Sequence, residues 1–583
     1  MYQPSELGQG WRPIATVMGL FFVAMLPFAS AYLWHHPDER HYTDAATQMI
    51  QRADYWTPRT ADGQLRFHKP YLAYWLVAAS YRGFGVSAAS SRIPFLLVAC
   101  GVIGLTAGMA RLISRAPHAP LLAAAIVACH PVLILSATRS IPDILLCASL
   151  LLSVWGFLRI TAFGSGSPRA YWAAYLGAGF GVAAKGLPAL AFLLFAWGFA
   201  LFNPWQRVAW RRLLHIPSMI VGGVVGFWWF VAMHAIHGSA AMQGFLADQA
   251  TQRVIANPWQ SVRQFLLFFA LCLVPLAVWC LPLAMPSVVR RWLQHLDDQQ
   301  RQAYRFLLGW LIVFAGLACH VQDLSVRYTL PMAPLLAVTV ADMMGRIHPS
   351  NLRSWLRVLL VIALGTSFLV LIAGTTGSYQ GLPRREDWVP MALLIGTAVA
   401  LWRVGWRGSM VENAVCLPSA VVLVMLAALV SVRHWALPDQ GTQIAQSLAQ
   451  LFPSYDRPVP LLAKPALASK VRVAAQGRAA VERIRFKDWH TVRSAEVLVV
   501  PEELAADLDP KTYRFYRSSQ GFRDLSPWGV LASILSGNLP RFLQERRDAF
   551  LVAVRHEPTE VQQVSHDGQP PAGPSRLTRR VAP

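Results

Sequence analysis

The sequence predicts a polytopic α-helical membrane protein that ends in a small soluble α/β domain. Of its 583 residues, 55% are hydrophobic and only 14% are charged, whereas soluble proteins average about 25% charged residues. Apolar runs long enough to cross a bilayer recur up to about residue 432, and the chain beyond them is more polar. We therefore predict a transmembrane domain over 1–432, an α/β domain over 433–562 and a disordered tail over 563–583.

Thirteen apolar segments are close enough to the roughly 20 residues that a membrane helix requires. We place them at 14–34, 92–112, 119–137, 143–162, 171–185, 186–203, 215–236, 264–289, 305–320, 328–345, 355–375, 389–406 and 413–432. The apolar stretch 71–86 is interrupted by Arg82 and Gly83, so we expect a helix that lies at the membrane interface and does not cross.

The net charge of +22 follows a topological pattern rather than one typical of nucleic-acid binding. If 71–86 does not cross and the N-terminus is cytoplasmic, the basic loops near 111–115, 207–212, 290–305, 346–357 and 403–407 all lie on one side, as the positive-inside rule expects. The opposite, outer side then holds the first loop, 35–91, and the C-terminal domain.

Local patterns add detail to the outer side. Apolar residues at helical spacing predict a short amphipathic helix over 42–54. In the C-terminal domain, strand-like runs occur at 471–475, 497–501 and 549–554.

All seven cysteines lie in or beside apolar stretches without a CxxC pair, so we expect neither disulfides nor thiolate metal sites.

Adjacent carboxylates, Asp38 and Glu39, follow the first apolar segment directly. Charged carboxylates are costly at a membrane edge because burial and like charges both disfavour ionisation. Asp143 begins another span on the same side. A solvated acidic pair is the simpler interpretation, but a further carboxylate and several cations on one face favour a binding or catalytic site.

The cations expected on that face are Lys69, Arg139, Lys185, Arg253 and Arg327. Any one of them has a simple alternative role, which is to reach out to lipid headgroups. Several together suit a phosphate group held at the lipid boundary. Tyr328, after Arg327, fits either an aromatic belt or a cavity wall, and residue chemistry alone leaves that choice open.

The order of these motifs resembles the membrane glycosyltransferases of the GT-C superfamily. Within it the sequence is most similar to the bacterial lipid A aminoarabinose transferase family and, more distantly, to protein O-mannosyltransferases. The resemblance covers about residues 14–345 and rests on Asp38-Glu39 with Tyr42, Trp56-Thr-Pro-Arg59, Phe67-His-Lys-Pro70, Tyr71-x-x-Tyr74-Trp75, Arg139-Ser-Ile-Pro-Asp143, Lys185-Gly186 and Arg327-Tyr328-x-x-Pro331.

The resemblance implies an inverting transfer of a sugar from polyprenyl phosphate, in particular undecaprenyl phosphate, to lipid A or another envelope glycolipid. The reaction would face the periplasm of a bacterial inner membrane, with the C-terminal domain on that side. The implied roles are catalytic for Asp38 and Asp143, donor-phosphate binding for Lys69, Lys185, Arg253 and Arg327, and supporting for Glu39, Tyr42, His68 and Tyr328. No cofactor is required, although a divalent metal is compatible with this chemistry.

The sequence departs from the family at three places. His68 replaces a glutamate, His41 replaces an arginine, and Asp248-Gln249 replaces a Glu/Asn-His pair. These changes weaken the inference that this protein binds a metal as members of the family do. They also point to a different sugar or acceptor. Two other classes stay open: a transporter or flippase of a lipid-linked or anionic substrate, which usually carries inverted repeats, and a structural or assembly subunit.

Overall fold

The computed structural model describes residues 4–30, 38–246, 258–284, 286–319, 324–376, 385–436, 439–453, 457–476, 481–522, 533, 536 and 538–555. The helices are α1 Pro4–Ser30, α2 Glu39–Arg52, α3 Leu72–Phe84, α4 Ala88–Ile113, α5 Ala119–Ala128, α6 Pro131–Ala137, α7 Asp143–Thr161, α8 Pro168–Lys185, α9 Leu187–Phe202, α10 Ile216–His237, α11 Ser239–Leu246, α12 Pro258–Leu273, α13 Ala277–Cys280, α14 Pro286–Gln294, α15 Asp298–Ala318, α16 Ala333–Met344, α17 Pro349–Thr376, α18 Arg385–Arg407, α19 Met410–Ala436, α20 Gln440–Leu451, α21 Pro465–Ala474, α22 Glu502–Ala505 and α23 Leu539–Gln544. The strands are β1 Val459–Leu462, β2 Val481–Ile484, β3 Val497–Pro501, β4 Tyr513–Phe522 and β5 Arg547–Arg555.

The predicted class, a helical membrane protein with a small C-terminal sheet, is confirmed. Within the described ranges, eight helices are long and apolar enough to cross a membrane, or nine if the bent pair α5–α6 is one span. The other four predicted crossings coincide with α8, α9, α15 and α16, which are shorter or less apolar. The total of thirteen crossings stays a prediction.

Prolines break three of the predicted spans. Segment 119–137 is two helices bent by 64°, because Pro131 begins α6 and has no N–H to continue the ladder of α5. Segment 264–289 is interrupted by a 3₁₀ turn around Pro275. In segment 328–345, α16 begins only at Ala333, after a 3₁₀ turn over Val326–Thr329.

Small residues let α7 and α8 pack with their backbones in close approach. A Cβ on Gly156 would lie 2.3 Å from the backbone nitrogen of Ala174, and one on Gly177 would lie 2.6 Å from that of Ser153. This is the small-residue packing that membrane helices commonly use. Because the two helices are antiparallel, the first residue of α7 lies beside the last residue of α8.

The first loop contains the two expected short helices. The predicted amphipathic helix over 42–54 is α2, which buries Tyr42, Ala45, Ala46 and Met49. The stretch 71–86 forms α3, which has only 13 residues, about 20 Å at 1.5 Å per residue. That length is too short for a crossing.

The C-terminal domain is a five-stranded sheet in the order β2-β1-β3-β5-β4. The strands β1, β2 and β3 are parallel, while β5 runs antiparallel to β3 and β4. The predicted strands at 497–501 and 549–554 are confirmed, but the one at 471–475 is wrong because Val471 and Val473 belong to α21. Helix α21 packs against the sheet and against α2, so its tertiary contacts outweigh the β propensity of valine. The predicted tail, 563–583, lies outside the described residues.

Candidate active site

Most of the predicted site residues line one cavity of about 250 Å³ at one end of the helical domain. Its lining comprises Asp38, His41, Tyr42, Arg66, His68, Lys69, Ile141, Pro142, Asp143, Lys185, Arg327 and Tyr328. Residues from five separate parts of the chain therefore meet here. Three residues predicted on this face are not among them: Glu39 lies behind the cavity, Arg139 does not line it, and Arg253 is outside the described residues.

Several lining residues lie at helix ends. Asp143 is the first residue of α7, and Lys185 is the last residue of α8. A carboxylate at a helix N-terminus and an ammonium at a helix C-terminus both complement the helix dipole. Gly186 follows with φ of +83°, a conformation that glycine adopts without steric cost and that lets the chain turn directly into α9.

Arg327 connects the two carboxylates of the cavity. Its Nη2 lies 2.7 Å from Asp38 Oδ2, and its Nε lies 3.9 Å from Asp143 Oδ2. Burial lowers the pKa of Arg327, but the carboxylates of Asp143 and Asp38 more than offset this effect and raise the pKa above its ordinary value. The guanidinium is therefore a permanent positive charge between the two acids.

The two carboxylates differ in accessibility. Asp143 is 5% exposed and its Oδ1 lies 2.5 Å from Lys185 Nζ, which also sits 4.5 Å from the ring centre of Tyr328. Asp38 is 41% exposed and pairs with Arg327. Asp143 is thus enclosed by cations, whereas Asp38 is open to an incoming group.

Positive charge exceeds negative charge around the cavity. Apart from histidines, the lining contains four cations, Arg66, Lys69, Lys185 and Arg327, and two carboxylates. Lys69 is 8% exposed and precedes Pro70 at the start of α3. Such an excess favours an anionic ligand, and phosphate is an anion that lysine and arginine bind by charge-assisted hydrogen bonds.

Two titratable lining residues, His41 and Arg66, were not among the predicted site residues. Burial, together with the charges of Arg66 and Arg40, lowers the pKa of His41 to about 3. Arg66 is placed by a hairpin: Arg59 and Leu65 form a β-bridge, and the Arg66 amide donates to the Pro58 carbonyl at 2.9 Å. Because this hairpin is a tertiary arrangement, no sequence pattern pointed to Arg66.

Glu39 has a structural role behind Asp38. It accepts from Arg92 Nε at 2.9 Å and Nη2 at 2.7 Å, and its Oε1 also accepts from the Ser140 amide at 2.8 Å. Both side chains of this pair are at most 1% exposed. The pair joins the start of α2 to α4 and to the turn before α7, so it orients Asp38 towards Asp143.

The sequence is compatible with binding of a divalent metal, and this binding stays a prediction. No group of three or more histidine, cysteine, aspartate or glutamate side chains is arranged to hold a metal ion within the described ranges. Around the cavity, the polar residues near Asp38 and Asp143 are mainly cations, which disfavour a divalent metal by charge repulsion.

Comparisons with known proteins agree with this architecture. Residues 68–237 match the protein-family model for dolichyl-phosphate-mannose-protein mannosyltransferase. An uncharacterised protein of Aquifex aeolicus is 24% identical over 352 residues, which are 56% of this chain and 64% of that protein. This chain thus spans slightly less than two thirds of the Aquifex protein.

Two further relatives have informative descriptions. The undecaprenyl phosphate-alpha-4-amino-4-deoxy-L-arabinose arabinosyl transferase of Photorhabdus laumondii is 23% identical over 410 residues, 67% of this chain and 70% of that enzyme. The crystal structure of ArnT from Cupriavidus metallidurans bound to undecaprenyl phosphate superposes with a TM-score of 0.64 at 16% identity, covering 94% of this chain and 98% of ArnT. The chain therefore has the fold of ArnT and is similar in sequence to that arabinosyl transferase and to the mannosyltransferase family model.

Proposed function

We propose that the protein is a glycosyltransferase that moves a sugar from a polyprenyl phosphate, specifically undecaprenyl phosphate, to a membrane acceptor. The observation that carries the proposal is the cavity in which the accessible carboxylate of Asp38 faces a surplus of buried and half-buried cations. A carboxylate beside an excess of positive charge suits a reaction in which a hydroxyl attacks and a phosphate leaves.

The leaving phosphate is assigned to the cationic side of the cavity. Lys69 and Arg66 supply charge-assisted hydrogen bonds to its oxygens, and Lys185 and Arg327 add positive charge nearby. When the bond between the sugar's anomeric carbon and the phosphate oxygen breaks, its electron pair passes to that oxygen. The four cations stabilise the developing negative charge.

Asp38 acts on the acceptor. Its exposed carboxylate takes the proton of the attacking hydroxyl as the new carbon–oxygen bond forms on the face opposite the phosphate, which inverts the anomeric configuration. Asp143, enclosed by Lys185 and Arg327, holds these two cations in place. If the acceptor is a phosphate already ionised, Asp38 orients it and no proton transfer is needed.

The acceptor and orientation complete the proposal. We assign lipid A or another envelope glycolipid as acceptor, and the periplasmic side of the bacterial inner membrane as the location. The basis for the orientation is the basic loops, which the positive-inside rule assigns to the cytoplasm. The basis for the acceptor is the resemblance of the sequence motifs to the lipid A aminoarabinose transferases, together with the cavity's position at the end of the membrane helices.

The decisive experiment is mass spectrometry of the glycolipids of cells with and without the protein. The mass added in its presence identifies both sugar and acceptor. The Asp38→Asn variant should give no product, whereas Asp62→Asn, which changes an exposed carboxylate of the same loop, should give the wild-type amount. Unchanged glycolipids in cells with wild-type protein, but altered uptake or export of a lipid-linked sugar, would favour the transporter alternative.

A further inference from the structure

A groove of about 650 Å³ lies at the end of the helical domain opposite the candidate active site. It is lined by Leu283, Pro286, Val289, Arg290, Leu293, Gln294 and Arg301. Helix α16 separates the two places: Arg327 precedes its start, whereas Asp342, in its last turn, contacts α14. The groove therefore shares no residue with the proposed catalytic cavity.

The groove is built on a helix whose inner face is fixed to the protein. Trp292 of α14 is 8% exposed, and its indole Nε1 donates to Asp342 Oδ2 at 2.8 Å. The Tyr304 hydroxyl donates to the same oxygen at 2.7 Å, and Ser114 donates to Oδ1. This buried network holds α14 in one rotation about its axis, so its other face is a defined surface.

That outer face combines apolar and basic side chains. Pro286, Val289, Arg290, Leu293 and Gln294 recur at spacings of three and one, which places them on one side of α14. The apolar residues form the floor and Arg290 lies among them. Opposite, Arg301 of α15 completes the wall.

The two arginines are available to a ligand. Both are exposed, and neither forms an ion pair with any carboxylate in the part of the chain that the structure describes. The groove also follows directly after the apolar span Pro258–Cys280. An amphipathic helix at the end of a span lies where headgroups meet acyl chains.

We propose that the groove binds an anionic glycerophospholipid. The acyl chains would lie on Leu283, Val289 and Leu293, and the phosphate would lie between Arg290 and Arg301. A zwitterionic lipid offers the same chains but carries a positive group that the two guanidinium groups repel. Basic pockets beside membrane helices bind anionic headgroups in this way.

The test measures lipid preference directly and needs no enzymatic substrate. Wild-type protein, Arg290→Gln/Arg301→Gln and the control Arg211→Gln/Arg212→Gln are delipidated and titrated with phosphatidylglycerol or phosphatidylcholine, and bound lipid is counted by native mass spectrometry. The control removes two exposed arginines from the 3₁₀ helix Trp210–Leu213, at the same end of the domain. In the groove variant, the preference for phosphatidylglycerol over phosphatidylcholine should fall roughly tenfold. The control should keep the wild-type preference.

Position and ligand class are tested with a photoactivatable phosphatidylglycerol carrying a diazirine on an acyl chain. It should crosslink to 283–301, and unlabelled phosphatidylglycerol should compete better than phosphatidylcholine or undecaprenyl phosphate. Equal loss of preference in the control, no loss in the groove variant, crosslinks elsewhere, or equal competition by undecaprenyl phosphate would each overturn the proposal.

Discussion

Arg472 of the C-terminal domain forms an ion pair with Asp44, on the same helix that Asp38 precedes. The Arg472 Nη2 lies 3.0 Å from Asp44 Oδ2, and the Ser469 hydroxyl donates to Asp44 Oδ1 at 3.1 Å. Burial raises the pKa of Asp44, although Arg472 and Ser469 favour its charged form. With the Glu39–Arg92 pair on its membrane side, α2 is therefore anchored both to the helical domain and to the α/β domain.

We predict that the Arg472→Ala variant destabilises the protein and lowers turnover by misplacing Asp38. Removing one partner of a fully buried ion pair costs about 3–5 kcal/mol because the other charge is left buried. The Arg472 and Asp44 side chains are 19% and 10% exposed, so we expect a smaller loss here. The double variant Asp44→Ala/Arg472→Ala should recover part of that loss. Thermal unfolding in detergent and product yield per folded protein measure the two effects.

The matched control is Arg493→Ala, which breaks the exposed pair with Asp507 in the same domain. It should change the unfolding temperature little, since exposed ion pairs contribute at most about 1 kcal/mol. If Arg472→Ala behaves like this control in both assays, the α/β domain does not position α2.

We predict different defects for the two carboxylates of the cavity. Asp38→Asn should lower turnover by about 10²–10⁴, the usual contribution of a general base, and leave donor affinity unchanged. Asp143→Asn should weaken donor binding as well as turnover. The reason is that Asp143 holds Lys185 and Arg327 in place, and both cations lose this anchor in the variant. Steady-state kinetics with a saturating acceptor separate the effects, and identical defects in both variants would contradict the assignment of distinct roles.

The sequence predicted the site better than some of the helices that hold it. Asp38, Lys69, Asp143, Lys185 and Arg327 were predictable as neighbours because each lies at the end of an apolar segment, and counting the crossings assigns those ends to one side. No comparable rule exists for a loop side chain.

Arg66 shows what the sequence could not predict. It reaches the cavity because the hairpin that joins Arg59 to Leu65 places it there, and this hairpin is a tertiary arrangement. In the same way, Val471 and Val473 indicated a strand by local preference but are buried as part of α21. The break before Pro131, by contrast, had a visible signal in the proline itself.

We predict that Lys69→Ala and Arg66→Gln each weaken binding of a polyprenyl phosphate by about 10- to 100-fold. A hydrogen bond to a charged group contributes about 1.5–3 kcal/mol, which corresponds to this range. Binding is measured by native mass spectrometry with undecaprenyl phosphate itself. Arg52→Gln, which alters an exposed arginine at the end of α2, is the control and should bind normally. Wild-type affinity in Lys69→Ala would show that the phosphate lies elsewhere.

We predict that acidification destabilises the protein through His41. Burial and the charges of Arg66 and Arg40 lower its pKa to about 3 in the folded protein, whereas an unfolded histidine has a pKa of about 6.5. Between these values the unfolded chain binds a proton that the folded chain does not, so the free energy of unfolding decreases as pH falls, by at most about 1.4 kcal/mol per pH unit.

The His41→Gln variant should therefore lose less stability than the wild type between pH 7 and pH 4.5, measured as the shift in unfolding temperature in detergent. The control is His490→Gln, which replaces an exposed histidine of the α/β domain and should retain the wild-type slope. Parallel slopes for wild type and His41→Gln would mean that His41 gains its proton in the folded protein as readily as in the unfolded chain.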